Sequence, residues 1–398
     1  FAVSYSSPLK SDVQVKGSKL IISCQGAEHE GIPAAMRAEC PVQVKTDLGE
    51  KYQARHRKWQ GIPSIAISSR GRLWSAFYTG GSDEGKDNFV ILKKSDDYGQ
   101  TWSEPIAAVD PPGEVRAFDQ CLWFDPEGRL WLFWAQSLGG FDGRAGVWAS
   151  YCKDHEEKAE IWSSPIRIGD GVMLNKPIIS TNGDWLFPVA LWARFPSLFN
   201  PNQPKALSNV YASSDFGQSF VYRGGVSIPG RYYDETVLVE KEDGRLWMLV
   251  RCEKGIGQAY SNDGGRSWDL SDSLIPGPNS RFQVVRLQSG NLLMVNHEPV
   301  GGGYQPNPKE EFFCIRSHLT AYLSCDDGKT WSSGLLLDER EGVSYPDVAQ
   351  DQKGKIYIVY DRNRYTDREI LMAVIRESQE NGFIKLIMEQ SAMMVDKP

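Results

Sequence analysis

The chain has 398 residues, 24% of them charged, and a net charge of -7, which excludes a general polyanion-binding surface of the nucleic-acid type. No apolar run approaches the roughly 18 residues that span a membrane. Gly 38 and Trp 13 suit short strands joined by tight turns, and a repeat fold lets so long a chain form one unit. Residues 1–56 precede the first repeat and are expected to close or flank it. Their start, Phe1-Ala2-Val3-Ser4, has no Met and no basic-then-apolar leader, the pattern of a removed signal peptide or a trimmed start.

From residue 57 a strand–turn–strand pattern recurs. Its turns are Arg70-Gly71-Arg72-Leu73-Trp74, Glu127-Gly128-Arg129-Leu130-Trp131 and Asn182-Gly183-Asp184-Trp185, then Asp243-Gly244-Arg245-Leu246-Trp247, Ser289-Gly290-Asn291-Leu292-Leu293 and Lys353-Gly354-Lys355-Ile356-Tyr357. Six hairpins at a spacing of roughly 50 to 60 residues fit four-stranded blades. The expected fold is all-β: a six-bladed β-propeller over 57–398. Seven scattered cysteines (Cys24, Cys40, Cys121, Cys152, Cys252, Cys314 and Cys325) form no CxxC pair. Zinc and redox motifs are therefore absent, each cysteine reads as a core thiol, and neither metal nor cofactor is expected.

A second motif sits between the third and fourth strands of four blades. Its copies are Ser95-Asp96-Asp97-Tyr98-Gly99-Gln100-Thr101-Trp102, Ser213-Ser214-Asp215-Phe216-Gly217-Gln218-Ser219-Phe220, Ser261-Asn262-Asp263-Gly264-Gly265-Arg266-Ser267-Trp268 and Ser324-Cys325-Asp326-Asp327-Gly328-Lys329-Thr330-Trp331. Asp and Ser bond the turn's own backbone, Gly takes the positive φ, and the last aromatic plugs between sheets. These aspartates are structural. The motif is the Asp box, and with it the chain resembles the sialidase superfamily. The second and sixth blades show no such box.

Antiparallel blades put the starts of A strands, the ends of B and the starts of C on one face, opposite the Asp boxes. The A starts there are polar: Trp59-Gln60-Gly61-Ile62-Pro63, Arg116-Ala117-Phe118-Asp119, Asn175-Lys176-Pro177, Asp234-Glu235, Ser280-Arg281 and Ser344-Tyr345-Pro346-Asp347. Arg251 and Asp361 end B strands, Arg316 begins a C strand, and the first B–C crossing, Gly80–Asn88, carries Asp83, Glu84 and Asp87.

The resemblance, over roughly residues 57–376, implies roles for these groups. Tyr345 matches a Tyr nucleophile, Glu235 the base within hydrogen-bond reach of it, and Glu84 the acid, with Asp83 a neighbouring rival. A neutral phenol suits an anomeric carbon that already bears a carboxylate, where an anionic nucleophile would be repelled. Arg251 and Arg316 match two of three sugar-carboxylate arginines. The first does not match: members carry Arg-Ile-Pro where this chain has Gly61-Ile62-Pro63 after Gln60. Arg57, Arg116 or Arg281 would restore that charge, and Asp119 joins the substrate-binding set. The implied function is a retaining exo-glycosidase that removes a terminal sialic acid or related acidic sugar from a glycan, secreted or periplasmic. The alternatives are a different terminal sugar (another ulosonic acid, a uronic acid or a deoxysugar) and a non-catalytic glycan-binding propeller.

Overall fold

Strand interiors in this chain are apolar on both faces, which dictates that the sheets stack. Leu73–Thr79 and Leu246–Cys252 are buried throughout and Leu130–Leu138 nearly so, as for strands covered on both sides. The computed structural model describes residues 38–141, 146–192, 207–310 and 312–398, and the backbone of 12–16 and 19–23. Phe1–Ser4 and Cys24 lie outside the described residues.

Two strands, β1 (Asp12–Lys16) and β2 (Lys19–Ser23), pair only with each other. Six four-stranded antiparallel sheets follow in chain order. Blade one is β3 (Gln60–Ile67), β4 (Leu73–Thr79), β5 (Phe89–Ser95) and β6 (Ala107–Val109). Blade two is β7 (Val115–Phe124), β8 (Leu130–Leu138), β9 (Gly146–Cys152) and β10 (Ile166–Asp170). Blade three is β11 (Ile178–Ile179), β12 (Trp185–Ala190), β13 (Ser208–Ser213) and β14 (Val221–Val226). Blade four is β15 (Val237–Glu240), β16 (Leu246–Cys252), β17 (Gly255–Ser261) and β18 (Asp269–Leu270). Blade five is β19 (Gln283–Arg286), β20 (Leu292–His297), β21 (Leu319–Ser324) and β22 (Leu335–Asp338). Blade six is β23 (Val343–Gln350), β24 (Lys355–Arg362), β25 (Glu369–Glu380) and β26 (Phe383–Asp396). The glycine of every A–B turn has positive φ, between 76° at Gly128 and 92° at Gly71, a conformation that costs glycine nothing.

Among the described residues the buried hydrophobics form six clusters, one at each blade junction. The last sets Ile65, Phe77 and Ile91 of blade one against Tyr357, Val359 and Met372 of blade six. The ring is therefore closed and no sheet face is left open. An ionic seal adds to it. Asp396, at the end of β26, accepts hydrogen bonds from Arg57, Gln60 and Lys93 of the chain's first part. Residues 38–56 add no strand to a blade. They flank blade one through paired bonds between Lys45 and Ala108, and blade two through Gln136, whose Nε2 donates to the carbonyls of Ala38 and Cys40. No helix among the described residues is long and apolar enough to cross a membrane.

In each Asp box the aspartate accepts from the backbone N–H four residues on, and from the Ser or Thr hydroxyl of that same residue, as in Asp97 with Thr101 (2.9 and 2.6 Å). The closing aromatics Trp102, Phe220, Trp268 and Trp331 each pack into the junction with the preceding blade. Blade two holds a fifth, disguised copy. Cys152 Sγ donates to Asp154, which also accepts from Ile161 N–H (2.8 Å), and Trp162 packs at the junction with blade one. Three extra residues and a Cys in place of Ser hide it from a pattern search. Blade six has no box because Asn381-Gly382, both at positive φ, close its outer hairpin as a tight turn. The core-thiol reading holds for Cys121, Cys152 and Cys252, which are buried and free. It does not hold for exposed Cys325, half-buried Cys314 or disulfide-bonded Cys40.

Candidate active site

Three A strands carry the same irregularity where they enter the ring. Between Gly61 and Ser64, Phe118 and Cys121, and Ser344 and Asp347, the strand spends three residues against two on its partner. This is a bulge, which re-aims side chains. Each bulge puts one non-glycine residue at positive φ: Ile62 at 59°, Asp119 at 46° and Tyr345 at 56°. Such backbone costs about 1–3 kcal/mol per residue and persists only where its surroundings enforce it. For the bulges of blades one and six, two fully buried carboxylates supply that enforcement. Asp361 accepts from the Ile62 N–H (2.6 Å) and the Ser344 hydroxyl (2.6 Å). Asp347 accepts from the Ser64 hydroxyl, the Ile65 N–H and Lys176. Lys176 and then Arg281 hold the Asp347 carboxyl below its usual range against the opposing effect of burial.

Ile62, Asp119 and Tyr345 all face one cavity of about 830 Å³ on the face opposite the Asp boxes, with Glu84, Arg116, Glu235, Arg251, Arg316 and Arg364. The Tyr345 phenol is buried, which pushes its pKa up to about 12 although Arg251 pulls the other way. It is neutral at ordinary pH. Arg251 Nη1 donates both to the Tyr345 hydroxyl (2.8 Å) and to Glu235 Oε1 (2.9 Å), while Asn279 fixes the other side of the guanidinium. Burial opposes the Arg251 charge, but Glu235 and Tyr345 together raise its pKa. Glu235 Oε2 is buried with no hydrogen-bond partner. The phenol and this carboxylate do not bond to each other directly, contrary to expectation; Arg251 bridges them.

Two more guanidiniums complete the surround. Arg316 Cζ lies 5.2 Å and Arg364 Cζ 4.1 Å from the centroid of the Tyr345 ring. Burial holds Arg316 below the usual arginine value. Burial also opposes the Arg364 charge, but Asp361 and then Tyr345 raise its pKa. Aromatic side chains, Phe141, Trp192, Tyr233 and Phe313, line the rest of the mouth. No group of three or more His, Cys, Asp and Glu among the described residues could hold a metal ion. A neutral phenol, a carboxylate with a free oxygen and three cations thus converge in this cavity.

The model of the BNR repeat-like domain matches residues 71–358. The chain belongs to the BNR repeat-like family. A curated relative named sialidase, from Bacteroides fragilis, is 23% identical over 340 residues, which is 75% of this chain and 59% of that protein. The chain thus spans little more than half of that relative's length. Among solved structures, a Hadza microbial sialidase matches with TM-score 0.58 and 18% identity, over 77% of this chain and 64% of that one. The intramolecular trans-sialidase of Ruminococcus gnavus matches with TM-score 0.59 and 14% identity, over 88% and 96%. At these identities the structures share the fold, a sialidase-type propeller.

In this BNR repeat-like protein the structure brings Tyr345, Glu235, Glu84, Arg251, Arg316, Arg116 and Asp119 to one cavity. Arg116 stacks on Phe118 and donates to Asn88 Oδ1 (3.3 Å), and the Asn88 side-chain amide in turn holds the Glu84 loop through the carbonyls of Gly80 and Asp83. Burial and then Glu235 push Asp119 up to about 7. Three expected residues do not join. Arg57 and Gln60 are turned to Asp396 in the ring seal. Arg281 lies below the floor on Asn175 and the carbonyls of Leu174 and Pro63. The residue that does join is Arg364, from the B–C crossing of blade six. The equivalent crossing of blade one carries Glu84, so the same positional rule, applied to every crossing, would have found it.

Proposed function

We propose that this protein is a retaining exo-glycosidase that removes a terminal sialic acid, or a closely related acidic sugar, from a glycan. The observation that carries the reading is the gathering of Arg251, Arg316 and Arg364 around the buried phenol of Tyr345. An anionic substrate would meet planar, permanently charged forks there, and a nucleophile that carries no charge to repel it. The sialidase name of the Bacteroides relative supports the same substrate class.

In the first step the Tyr345 oxygen attacks the anomeric carbon and its proton passes to Glu235, whose Oε2 has no competing partner. The bond to the leaving oxygen breaks as Glu84 gives that oxygen a proton. In the second step water attacks the anomeric carbon, Glu84 takes a proton from it, and the bond to Tyr345 breaks as the phenol regains its proton from Glu235. Arg251 touches both oxygens of the nucleophile–base pair and stabilises the phenolate character that develops between them.

The test is a panel of fluorogenic α-glycosides that includes a sialoside, a uronide and a second ulosonide, assayed with wild type and Tyr345→Phe. Turnover of the sialoside by wild type, lost in the variant, is the expected result. Turnover of only another sugar would change the substrate, and no turnover of any of them would overturn the enzyme.

A further inference from the structure

Gly61 occupies a position where the backbone does not require glycine. It lies at the head of the blade-one bulge, and the corresponding positions of the other two bulges hold Phe118 and Ser344. Gly61 is also not among the positive-φ glycines. A Cβ placed on it would lie 2.6 Å from Arg364 Cδ and 2.7 Å from Cγ, a separation no side chain tolerates. The glycine is there because Arg364 fills its space.

Arg364 is built to present one edge. Its Nε donates to the fully buried Asp361 (2.8 Å) and its Nη2 to the Ser344 hydroxyl (3.2 Å), which fix the guanidinium over the Tyr345 ring. Its Nη1 faces the cavity and donates to Glu84 Oε1 (3.1 Å). That last partner differs from the others: the Glu84 side chain is 39% exposed and sits on the loop between β4 and β5, whereas the Asp361 side chain is wholly buried. One contact of the guanidinium is therefore exchangeable and the rest are fixed.

We infer that Arg364 is a substrate-carboxylate arginine supplied by blade six through the space left at Gly61, and that Glu84 occupies its place until the substrate's carboxylate displaces it. The inference rests on the acidic-sugar reading above and adds to it. Substrate binding then frees the Glu84 carboxylate, which takes up a proton from water before it gives one to the leaving oxygen, so that occupation of the clamp and release of the acid group are one event.

Four variants of the full chain test this with a fluorogenic α-sialoside and, by calorimetry, with free sialic acid. Arg364→Ala raises KM roughly ten- to a hundredfold, the loss of one charge-assisted contact. Gly61→Ala does the same without altering the arginine, because the new methyl group evicts it. The double variant Gly61→Arg/Arg364→Ala recovers most of the loss, since a side chain at 61 points where Arg364 now lies. Glu84→Gln binds free sialic acid more tightly than wild type, by removal of the competing anion, although its turnover falls. Melting curves accompany each variant, and Arg364→Lys stands in if Arg364→Ala does not fold. An active wild type whose KM is unchanged within about twofold by Arg364→Ala and Gly61→Ala overturns the inference alone. Weaker binding of free sialic acid by Glu84→Gln overturns the displacement. A wild type that neither turns over the sialoside nor binds the acid overturns the acidic-sugar reading and the inference with it.

Discussion

Arg57 Nη1 lies 3.0 Å from Asp396 Oδ2, joining residues 339 positions apart in the sequence. Both side chains are almost fully buried, at 1% and 4% exposure, and Lys93 and Gln60 share the same carboxylate. A propeller lives by its last junction, and here that junction carries a buried ionic cluster beside its apolar one.

Removal of the shared anion strands two cations in the interior. Asp396→Ala should therefore destabilise the protein by about 3–5 kcal/mol, measured by chemical denaturation. The pH dependence follows from the same cluster. Burial opposes the Asp396 charge, but Arg57 and Lys93 win and lower its pKa below the ordinary value. Its contribution is thus full above the unfolded aspartate's pKa of about 3.9 and is lost as pH falls through the lower native value. In Asp396→Asn that part of the acid destabilisation should disappear.

Tyr345→Phe deletes one oxygen that Arg251 touches and little else. Arg251 keeps Glu235 and Asn279 as partners, so the melting temperature should stay nearly that of wild type, within the loss of one hydrogen bond, about 1 kcal/mol. Turnover of the preferred glycoside should fall by several orders of magnitude, because the phenol oxygen that Arg251 holds beside Glu235 is gone. Wild-type rates in this variant would remove Tyr345 from the mechanism.

The ring was legible in the sequence because its determinants are local. Six A–B turns need a positive-φ glycine, and four Asp boxes close their own hydrogen bonds within eight residues. The fifth box was illegible because its three-residue insertion breaks the spacing while the bonds of Asp154 survive. The site was half legible. Strand ends located Tyr345, Glu235, Arg251 and Asp119, since antiparallel order alone fixes which face they share. Counting along β3 failed at Gln60, because the extra residue of the bulge changes which side chains face the cavity. Arg364 was legible from its place on the blade-six crossing; what was not legible is the meaning of the missing side chain at Gly61, which depends on a residue over 300 positions away.

Asp119 gives a pH signature of its own. Burial first, and then Glu235, bring it to about 7, so the native state keeps a proton that the unfolded chain releases near pH 3.9. Between those values the native state binds more protons than the unfolded chain, and stability therefore falls as pH rises from about 4 to about 7, by on the order of 4 kcal/mol. Asp119→Asn should flatten that slope in denaturation series. The same proton makes Asp119 a hydrogen-bond donor to a sugar hydroxyl below pH 7. Substrate KM should then rise in wild type as pH rises through about 7 and stay level in Asp119→Asn.

Glu84 is the proposed acid, and its role is separable from binding by the choice of leaving group. It lines the cavity on the loop between β4 and β5, whereas its exposed neighbours Asp83 and Asp87 do not. A proton is needed at bond cleavage only when the departing oxygen is a poor leaving group, as in a sugar hydroxyl; an activated aryl oxygen leaves without one. Glu84→Gln keeps the size of the side chain and a weaker contact with Arg364, so the loop should stay closed. Cleavage of a natural glycoside should then slow by about a hundredfold or more, while the first step on an activated aryl glycoside should change little. The second step needs Glu84 as base for both substrates, so a burst of aryl product followed by slow steady turnover should be seen in stopped-flow traces. Equal slowing of the burst and of the natural glycoside would deny Glu84 the acid role, and the same selective pattern in Asp83→Asn would transfer it by one residue.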